Sequence, residues 1–215
     1  MEGEVSMNNK IDSYRNIGTG FVERRVVFFN TPGRKNTESV LKLADDYVGK
    51  EGIKDIVVAS TLGETGIKAS EIFKDFNLVV VTHHVGHRRP GEWEFKEENR
   101  KKILDNGAKI VTAAHVLSGV ERSILRKFNT IMPLEIMAYT LRLFGEGTKA
   151  CVESTVMAAD AGLIPVDKDV VAIAGTQIGV DTALVIRPAC SSRFFDIEIR
   201  EVIAKPRSIT LGRGW

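Results

Sequence analysis

Polar residues and glycines stand at the points where the apolar segments of this 215-residue chain stop. They are Asn30 after a first segment, Ser60 and Thr61 after a second, Thr82, His83 and His84 after a third, His115 after a fourth, and Gly175 and Thr176 after a fifth. Hydroxyl and amide groups hydrogen-bond polar ligands, and an imidazole also transfers protons near neutral pH. Because these residue types also favour turns, two or three such endings would mean little, but five predict a shared binding cleft. His83 and His115 are the candidates for acid–base chemistry.

The most suggestive of these segments is Ile56–Phe73, with the sequence IVVASTLGETGIKASEIF. Its first four residues are β-branched or small and predict a buried strand, and its last seven carry apolar residues at helical spacing. Between them, Ser60–Gly66 is a turn rich in glycine and hydroxyl groups. Backbone N–H groups and the helix dipole would converge on this turn and favour an anion. A simple strand-to-helix connection has the same composition, so this segment alone leaves both interpretations open.

The remaining chain predicts strands that alternate with helices. The predicted strands are 25–30, 56–59, 78–82, 109–112, 169–174, 182–186 and 197–203, and the predicted helices begin near residues 37, 67, 95, 120, 133 and 147. This alternation indicates βαβ units in a mainly parallel sheet, and the last strands, which lack helices between them, predict an antiparallel edge. The carboxyl ends of parallel strands share one edge of a sheet, so the five endings are expected to face one cleft.

The segment from Gly147 to Ala161 predicts a helix that is apolar almost all round, and such helices are usually covered on every side. Glu153 and Asp160 lie seven residues apart on it and so share a face. Two carboxylates could perform acid–base chemistry, but a buried Glu more often bonds a backbone N–H or an Arg, and we favour that structural role. Cys151 is interpreted as a core residue, and Cys190 has no nucleophile pattern around it.

Composition excludes several classes of protein. The net charge is only +2 and the two signs are interleaved, which argues against a nucleic-acid partner. No apolar run approaches the roughly 18 residues that span a bilayer, so no membrane association is expected. The polar N-terminus has no apolar stretch typical of a signal peptide, and a cytoplasmic location is predicted. The two cysteines lack the spacing of a disulfide framework or a zinc site.

The four histidines raise the question of a metal. Adjacent histidines on an extended chain, such as His83 and His84, point to opposite faces, and no third ligand is evident from the spacing. No metal is therefore expected, and a metal-dependent hydrolase built on the histidines remains an alternative function.

Several segments together carry a resemblance to a known family. Three segments resemble the carboxy-terminal domain of pyruvate kinase, namely IVVASTLGETGIKASEIF, NLVVVTHH and DVVAIAGTQIGVDTALVIR. In that domain a Thr/Ser/Gly loop binds a phosphate of an allosteric sugar bisphosphate. With NTPGRKNTES, LSGVERSI, CVESTVMAADAGLIP and GVDTALVIRPA, the span 25–207 is similar to stand-alone pyruvate kinase C-terminal domain-like proteins, largely archaeal. The catalytic domain of pyruvate kinase is not represented, so the resemblance implies no kinase activity.

The resemblance implies an α/β fold with three layers, α/β/α, around a mainly parallel mixed sheet of five strands whose last strand is antiparallel. On this basis, residues 1–23 are an N-terminal extension, 24–207 a single domain and 208–215 a tail. It leaves open whether the protein is an enzyme and whether it forms a homo-oligomer.

For the site, the resemblance implies a phosphorylated small molecule, with flavin mononucleotide (FMN) as the expected cofactor. The phosphate loop would comprise Ser60, Thr61, Gly63, Glu64 and Thr65; the facing loop Gly175, Thr176, Gln177, Asp181 and Thr182; and the flank of the organic part His83, His84 and His115. The chain departs from its relatives at Cys190, where a His is expected, and at His87, where an aromatic is expected. A non-catalytic sensor of a sugar phosphate is the alternative from another class.

Overall fold

The computed structural model describes residues 20–208, which fold around one seven-stranded sheet. The strands are β1 (Val27–Phe29), β2 (Asp55–Ala59), β3 (Asn77–Thr82), β4 (Lys109–Thr112), β5 (Val170–Ala174), β6 (Thr182–Arg187) and β7 (Glu198–Pro206). The helices are α1 (Thr37–Glu51), α2 (Glu64–Ile72), α3 (Glu97–Asp105), α4 (Glu121–Phe128), α5 (Pro133–Arg142) and α6 (Glu146–Asp160). Short 3-10 turns occupy Arg34–Asn36 and Ser191–Asp196.

The strands lie in the order β1-β7-β6-β5-β2-β3-β4. Strand β6 runs antiparallel to both of its neighbours, and every other neighbouring pair is parallel. The predicted mainly parallel mixed sheet is thus confirmed, but the implied count of five strands is too small for the described residues. The last strands are antiparallel as predicted, since β6 runs antiparallel to β5 and to β7, but they do not form the edge, because β7 pairs in parallel with β1, which lies outside it.

Helices cover both faces of the sheet and give it two apolar cores. Helices α1, α2 and α3 pack over the face that carries Val58, Val80 and Ile173. Helix α6 packs over the other face, against Val57 and Ala172. Helices α4 and α5 continue outward from α6, since α5 contacts α6 and α4 contacts α5. The three-layer α/β/α architecture agrees with the fold class expected from the sequence.

The local backbone marks several helix boundaries, including the predicted start of a helix at residue 133. Gly52 ends α1 in the left-handed region with φ 71°, Gly107 follows α3 with φ 85°, and Pro133 is the first residue of α5. Helix α1 has no side-chain hydrogen bond that caps its N-terminus. Asn36 Nδ2 instead donates to the carbonyl oxygen of Thr31, at 2.8 Å.

Helix α6 is buried almost completely, as its sequence predicts. Its first turn lies directly against the start of β6. A Cβ at Gly147 would overlap the side chain of Thr182 and lie 2.9 Å from Asp181 Oδ1. Glycine at this position therefore lets the helix approach the sheet.

The expected N-terminal extension and tail fall largely outside the described residues, which exclude 1–19 and 209–215. Within the described part, Arg24 anchors the chain before β1 through salt bridges to Glu51 at 3.0 Å and Glu201 at 2.9 Å. None of the helices between residues 20 and 208 is long and apolar enough to cross a membrane.

Two helical glycines provide a matched test of this packing. Gly147→Ala should lower the free energy of unfolding by about 1–3 kcal/mol, because the added methyl group overpacks the contact with Thr182. Gly49→Ala in α1 meets no atom within 4 Å and should raise it by about 0.5–1 kcal/mol through helix propensity. Urea denaturation of both variants checks this pair, and a Gly147→Ala protein as stable as the parent would contradict the close approach.

Candidate functional site

The strand order reverses between β2 and β5. From β2 the chain proceeds outward to β3 and β4, then returns through α4, α5 and α6 to β5, on the other side of β2. In open α/β sheets, ligands bind in the crevice at the carboxyl ends of the strands where this reversal occurs. Here the crevice lies between the loop after β2 and the loop after β5.

A cleft of about 350 Å³ occupies this position, within the range of small-molecule sites. It is formed by the start of α1, the β2–α2 loop, the first turns of α2 and the end of the β5–β6 loop. Its lining residues are Arg34, Lys35, Thr37, Glu38, Ser60, Thr61, Leu62, Glu64, Thr65, Lys68, Ile178 and Gly179. Four residues of the predicted phosphate loop are among them, namely Ser60, Thr61, Glu64 and Thr65.

The electrostatics of the cleft favour an anion. Helices α1 and α2 both begin at the cleft, so two positive ends of helix dipoles meet there. Three basic side chains and two acidic ones line it. Arg34 pairs with Glu64 at 2.7 Å and Lys68 pairs with Glu38 at 2.7 Å, which leaves Lys35 as the excess positive charge.

The β2–α2 loop is held in shape by its neighbours. The backbone N–H of Gly66 donates to Ser60 Oγ at 3.1 Å, so Ser60 closes the first turn of α2. Gly63 adopts φ 98° and lies so close to Asn99 of α3 that a Cβ would stand 2.5 Å from Asn99 Cβ. Asn99 Nδ2 in turn donates to the carbonyl oxygen of Leu62 at 2.8 Å. The loop is therefore pre-organised before any ligand arrives.

The facing loop is organised by the buried carboxylate of Asp181. Its Oδ2 accepts hydrogen bonds from the backbone N–H of Gly33 at 2.8 Å and of Thr176 at 3.2 Å, and its Oδ1 accepts one from Thr182 Oγ1 at 2.8 Å. Asp181 and Thr182 are fully buried, so they support the cleft from behind. Gln177 lies at the loop tip with φ 64°, in the left-handed region.

Not every predicted site residue reaches the cleft. The lining does not include Asn30, because β1 lies four positions from β2, roughly 19 Å at a spacing of about 4.8 Å per strand. Thr82 faces Thr112 across β3 and β4, with their hydroxyl oxygens 2.7 Å apart. Gly175, Thr176 and Gln177 belong to the facing loop, but only its end, at Ile178 and Gly179, lines the cleft.

The four histidines form a separate cluster at the ends of β3 and β4. The ring centroids of His83 and His87 lie 4.0 Å apart, and those of His84 and His115 lie 5.4 Å apart. The prediction that His83 and His84 point to opposite faces is wrong, because β3 ends at Thr82 and both rings contact His87 and His115. His87 was missed as a site residue because its place depends on the fold of the loop after β3.

In two of these rings the Nδ1 atom lies within hydrogen-bond distance of an oxygen atom. His83 Nδ1 lies 2.8 Å from Glu94 Oε2, and His84 Nδ1 donates to the carbonyl oxygen of Val85 at 2.8 Å. The other carboxylate oxygen of Glu94 forms an ion pair with Arg88 Nε at 2.6 Å, without hydrogen-bond geometry. His87 Nδ1 is buried and has no hydrogen-bond partner within residues 20–208. It is the polar atom of the cluster that a ligand or a water molecule could satisfy.

Burial keeps the deeper histidines neutral. The pKa of His115 is lowered to about 3 and that of His87 to about 4, mainly by burial and in part by the neighbouring His83. Behind His115, Glu153 is paired with Lys149 and accepts a hydrogen bond from the backbone N–H of Leu117 at 3.0 Å. Burial by itself would raise the pKa of Glu153, but the Lys149 ammonium and this hydrogen bond lower it overall.

The other chemically suggestive residues of the sequence lie elsewhere. Asp160 ends α6 far from Glu153 and accepts a hydrogen bond from the backbone N–H of Ser191 at 2.8 Å. Both Ser191 and Cys190 follow the end of β6, at the opposite edge of the sheet from the cleft. The departure from relatives at Cys190 therefore does not affect the cleft. Cys151 is fully buried, as a core residue.

Among the described residues, no group of three or more His, Cys, Asp or Glu side chains is arranged to hold a metal ion. This holds although the rings of the four histidines lie close together. The expectation of a site without metal stays a prediction.

A comparison with known protein families bears on the whole arrangement. The family model described as pyruvate kinase, alpha/beta domain, matches residues 38–186, more than half of the chain. The chain belongs to this family. The matched span includes the β2–α2 loop, the histidine cluster and the β5–β6 loop, whereas Arg34 and Lys35 precede it and β7 follows it.

The basic lining residues of this alpha/beta domain were not identified from the sequence. Arg34 and Lys35 stand just before the predicted start of α1, and Lys68 lies four residues after Glu64 on the first turns of α2. All three residues lie near the N-terminus of a predicted helix, and this proximity could have identified them from the sequence. What the sequence did not show is that the two N-termini meet.

The neutral state of His115 gives a pH prediction. The pKa of His115 is about 3 in the folded protein, below the usual value of about 6.5 that applies to the unfolded chain. His115 therefore costs no stability above pH 6.5, and the free energy of unfolding falls as the pH drops from 6.5 toward 3. Each residue held neutral contributes a slope of about 1.4 kcal/mol per pH unit in that window. Unfolding free energies of His115→Gln between pH 4 and 6.5 should therefore vary less steeply than those of the wild type, and parallel curves would contradict the assignment.

Proposed function

We propose that this protein binds a phosphorylated small molecule at the switch between β2 and β5, with FMN as the first candidate. The observation that carries the proposal is the meeting of two helix N-termini and three basic side chains over one pre-organised cleft. Backbone N–H groups at helix starts, together with the dipoles, form a ready anion site. The family assignment agrees with an alpha/beta domain but specifies no ligand.

The phosphate would sit at the first turn of α2. The first N–H groups of a helix have no partner within it, and the N–H of Gly66 is already bonded to Ser60. The N–H groups of Glu64 and Thr65 are then the donors for a phosphate oxygen. The hydroxyls of Thr61 and Thr65 and the ammonium of Lys68 would add to them, since all three residues line the cleft.

The organic part of the ligand would extend from this loop toward the ends of the neighbouring strands. Leu62 and Ile178 supply the apolar part of the lining, and the histidine cluster follows β3, the next strand beyond β2. The unpaired Nδ1 of His87 supports a ligand group on that side. Bound FMN would supply hydride or electron transfer, and His83 and His115 are the candidates for moving a proton beside it.

A second candidate function is a sensor for a sugar phosphate. Nine of the twelve residues that line the cleft are polar or charged and none is aromatic, which suits a sugar at least as well as a planar flavin ring. Such a sensor would bind its ligand without turnover.

Equilibrium titration separates these functions. Quenching of flavin fluorescence should report binding of FMN, and riboflavin should bind at least tenfold more weakly because it lacks the phosphate, as one hydrogen bond to a charged group contributes about 1.5–3 kcal/mol. Thermal stabilisation by fructose 1,6-bisphosphate but not by FMN would favour the sensor. Failure of both ligands to bind would contradict the proposed function.

Lys68 allows a matched test of the phosphate position. Lys68→Gln should weaken binding of the phosphorylated ligand about tenfold, because it removes a positive charge from the cleft while leaving the exposed surface of α2 intact. Lys42→Gln on α1 removes the same charge from an exposed position that does not line the cleft, and it should leave the affinity unchanged. Equal affinities of the two variants would place the phosphate elsewhere.

A further inference from the structure

Helices α4 and α5 present an apolar surface that is largely exposed in the described part of the chain. Helix α4 contributes no buried residue, although it carries Ile124, Leu125 and Phe128. The exposed apolar residues, which we call the α4–α5 surface, are Phe128, Ile131, Ile136, Tyr139, Leu143 and Phe144. Ile131 and Leu143 are 75% and 73% exposed.

The size of this surface matches an interface. The six side chains expose on the order of 600 Å² if each presents about 100 Å², which reaches the upper end of the largest apolar patches of monomeric proteins, about 300–600 Å². One partner in a standard interface contributes about 800 Å². Val120, which is 77% exposed just before α4, extends the surface in that direction.

The charges beside the surface are self-complementary. Ile136 and Leu143 lie seven residues apart and share the exposed face of α5, and Glu135 and Arg142, also seven apart, lie along one flank of that face. A two-fold axis near Tyr139 would place α5 antiparallel to its copy. Glu135 of each chain would then stand opposite Arg142 of the other, twice over.

The existing contacts of these two side chains do not exclude the new one. Glu135 makes no salt bridge with any residue between 20 and 208. Arg142, whose side chain is 13% exposed, pairs with Glu146 on the side of α6, with Nε and Oε2 2.7 Å apart, and its Cζ lies 5.0 Å from the centroid of the Tyr139 ring. An arginine guanidinium has five N–H donors and can bond a second carboxylate.

From this apolar area and flanking charge pattern we infer that the α4–α5 surface is the interface of a two-fold homodimer, with α5 packed antiparallel against α5 of a second copy. An occupant of one charge sign, such as a nucleic acid, would not match a flank that carries both signs. The surface lies outside α6, on the face opposite α1 and α2. The dimer therefore leaves the cleft open and does not depend on the ligand proposed for it.

Sedimentation of the full chain between about 1 and 100 µM tests the inference. The wild type should sediment as a dimer, and Ile136→Glu and Leu143→Glu should each raise the dimer dissociation constant 100-fold or more. Both positions are exposed, so the variants should keep the far-UV circular dichroism of the parent. Phe195→Glu, at an 87% exposed apolar position outside this surface, is the control and should leave the dimer intact.

A charge exchange tests the antiparallel arrangement. Glu135→Arg and Arg142→Glu should each weaken the dimer about tenfold or more, because each brings like charges together, and the double variant should recover most of the affinity. A wild type that is monomeric throughout the range overturns the inference. A dimer unaffected by Ile136→Glu and Leu143→Glu also overturns it, and a double variant no tighter than the singles overturns the antiparallel pairing.

Discussion

The parallel pairing of β2 with β5 is the constraint on which the candidate site depends. In this pairing Val58 lies opposite Ile173, so the two strands end side by side and bring the loop that begins at Ser60 close to the loop that begins at Gly175. Because the chain reaches β5 only after passing through β3, β4 and five helices, this contact joins segments more than 110 residues apart. Without it the β2–α2 loop would be an ordinary turn. With it, the loop is one wall of a cleft.

A buried carboxylate then holds the second wall. Burying the Asp181 carboxylate is costly unless it is hydrogen-bonded, and it accepts bonds from Gly33, Thr176 and Thr182. These donors come from the segment before α1, the β5–β6 loop and the start of β6. Thr37 Oγ1 adds a bond from the backbone N–H of Val180 at 3.1 Å. The start of α1, with Arg34 and Lys35, is thereby fixed beside the facing loop, which is how two helix N-termini come to share one anion site.

The sequence predicts local features of this arrangement well and long-range ones poorly. Strand β2, the start of α5 at Pro133 and the buried character of α6 follow from patterns within about 15 residues, and they are found as predicted. The position of β1 next to β7 depends on pairing between segments some 175 residues apart, which leaves no local pattern. The sequence therefore gives no sign that β1, and with it Asn30, lies at the far side of the sheet from the cleft. Likewise, the histidine cluster depends on the path of the loop after Thr82 and not on strand alternation.

Crystals of the protein soaked with FMN, and in parallel with fructose 1,6-bisphosphate, would show whether the first turn of α2 binds a phosphate. Phosphate density is expected within hydrogen-bond distance of the backbone N–H groups of Glu64 and Thr65, with Lys68 beside it. Phosphate density at another place, such as the histidine cluster, with the β2–α2 loop unoccupied, would contradict this expectation.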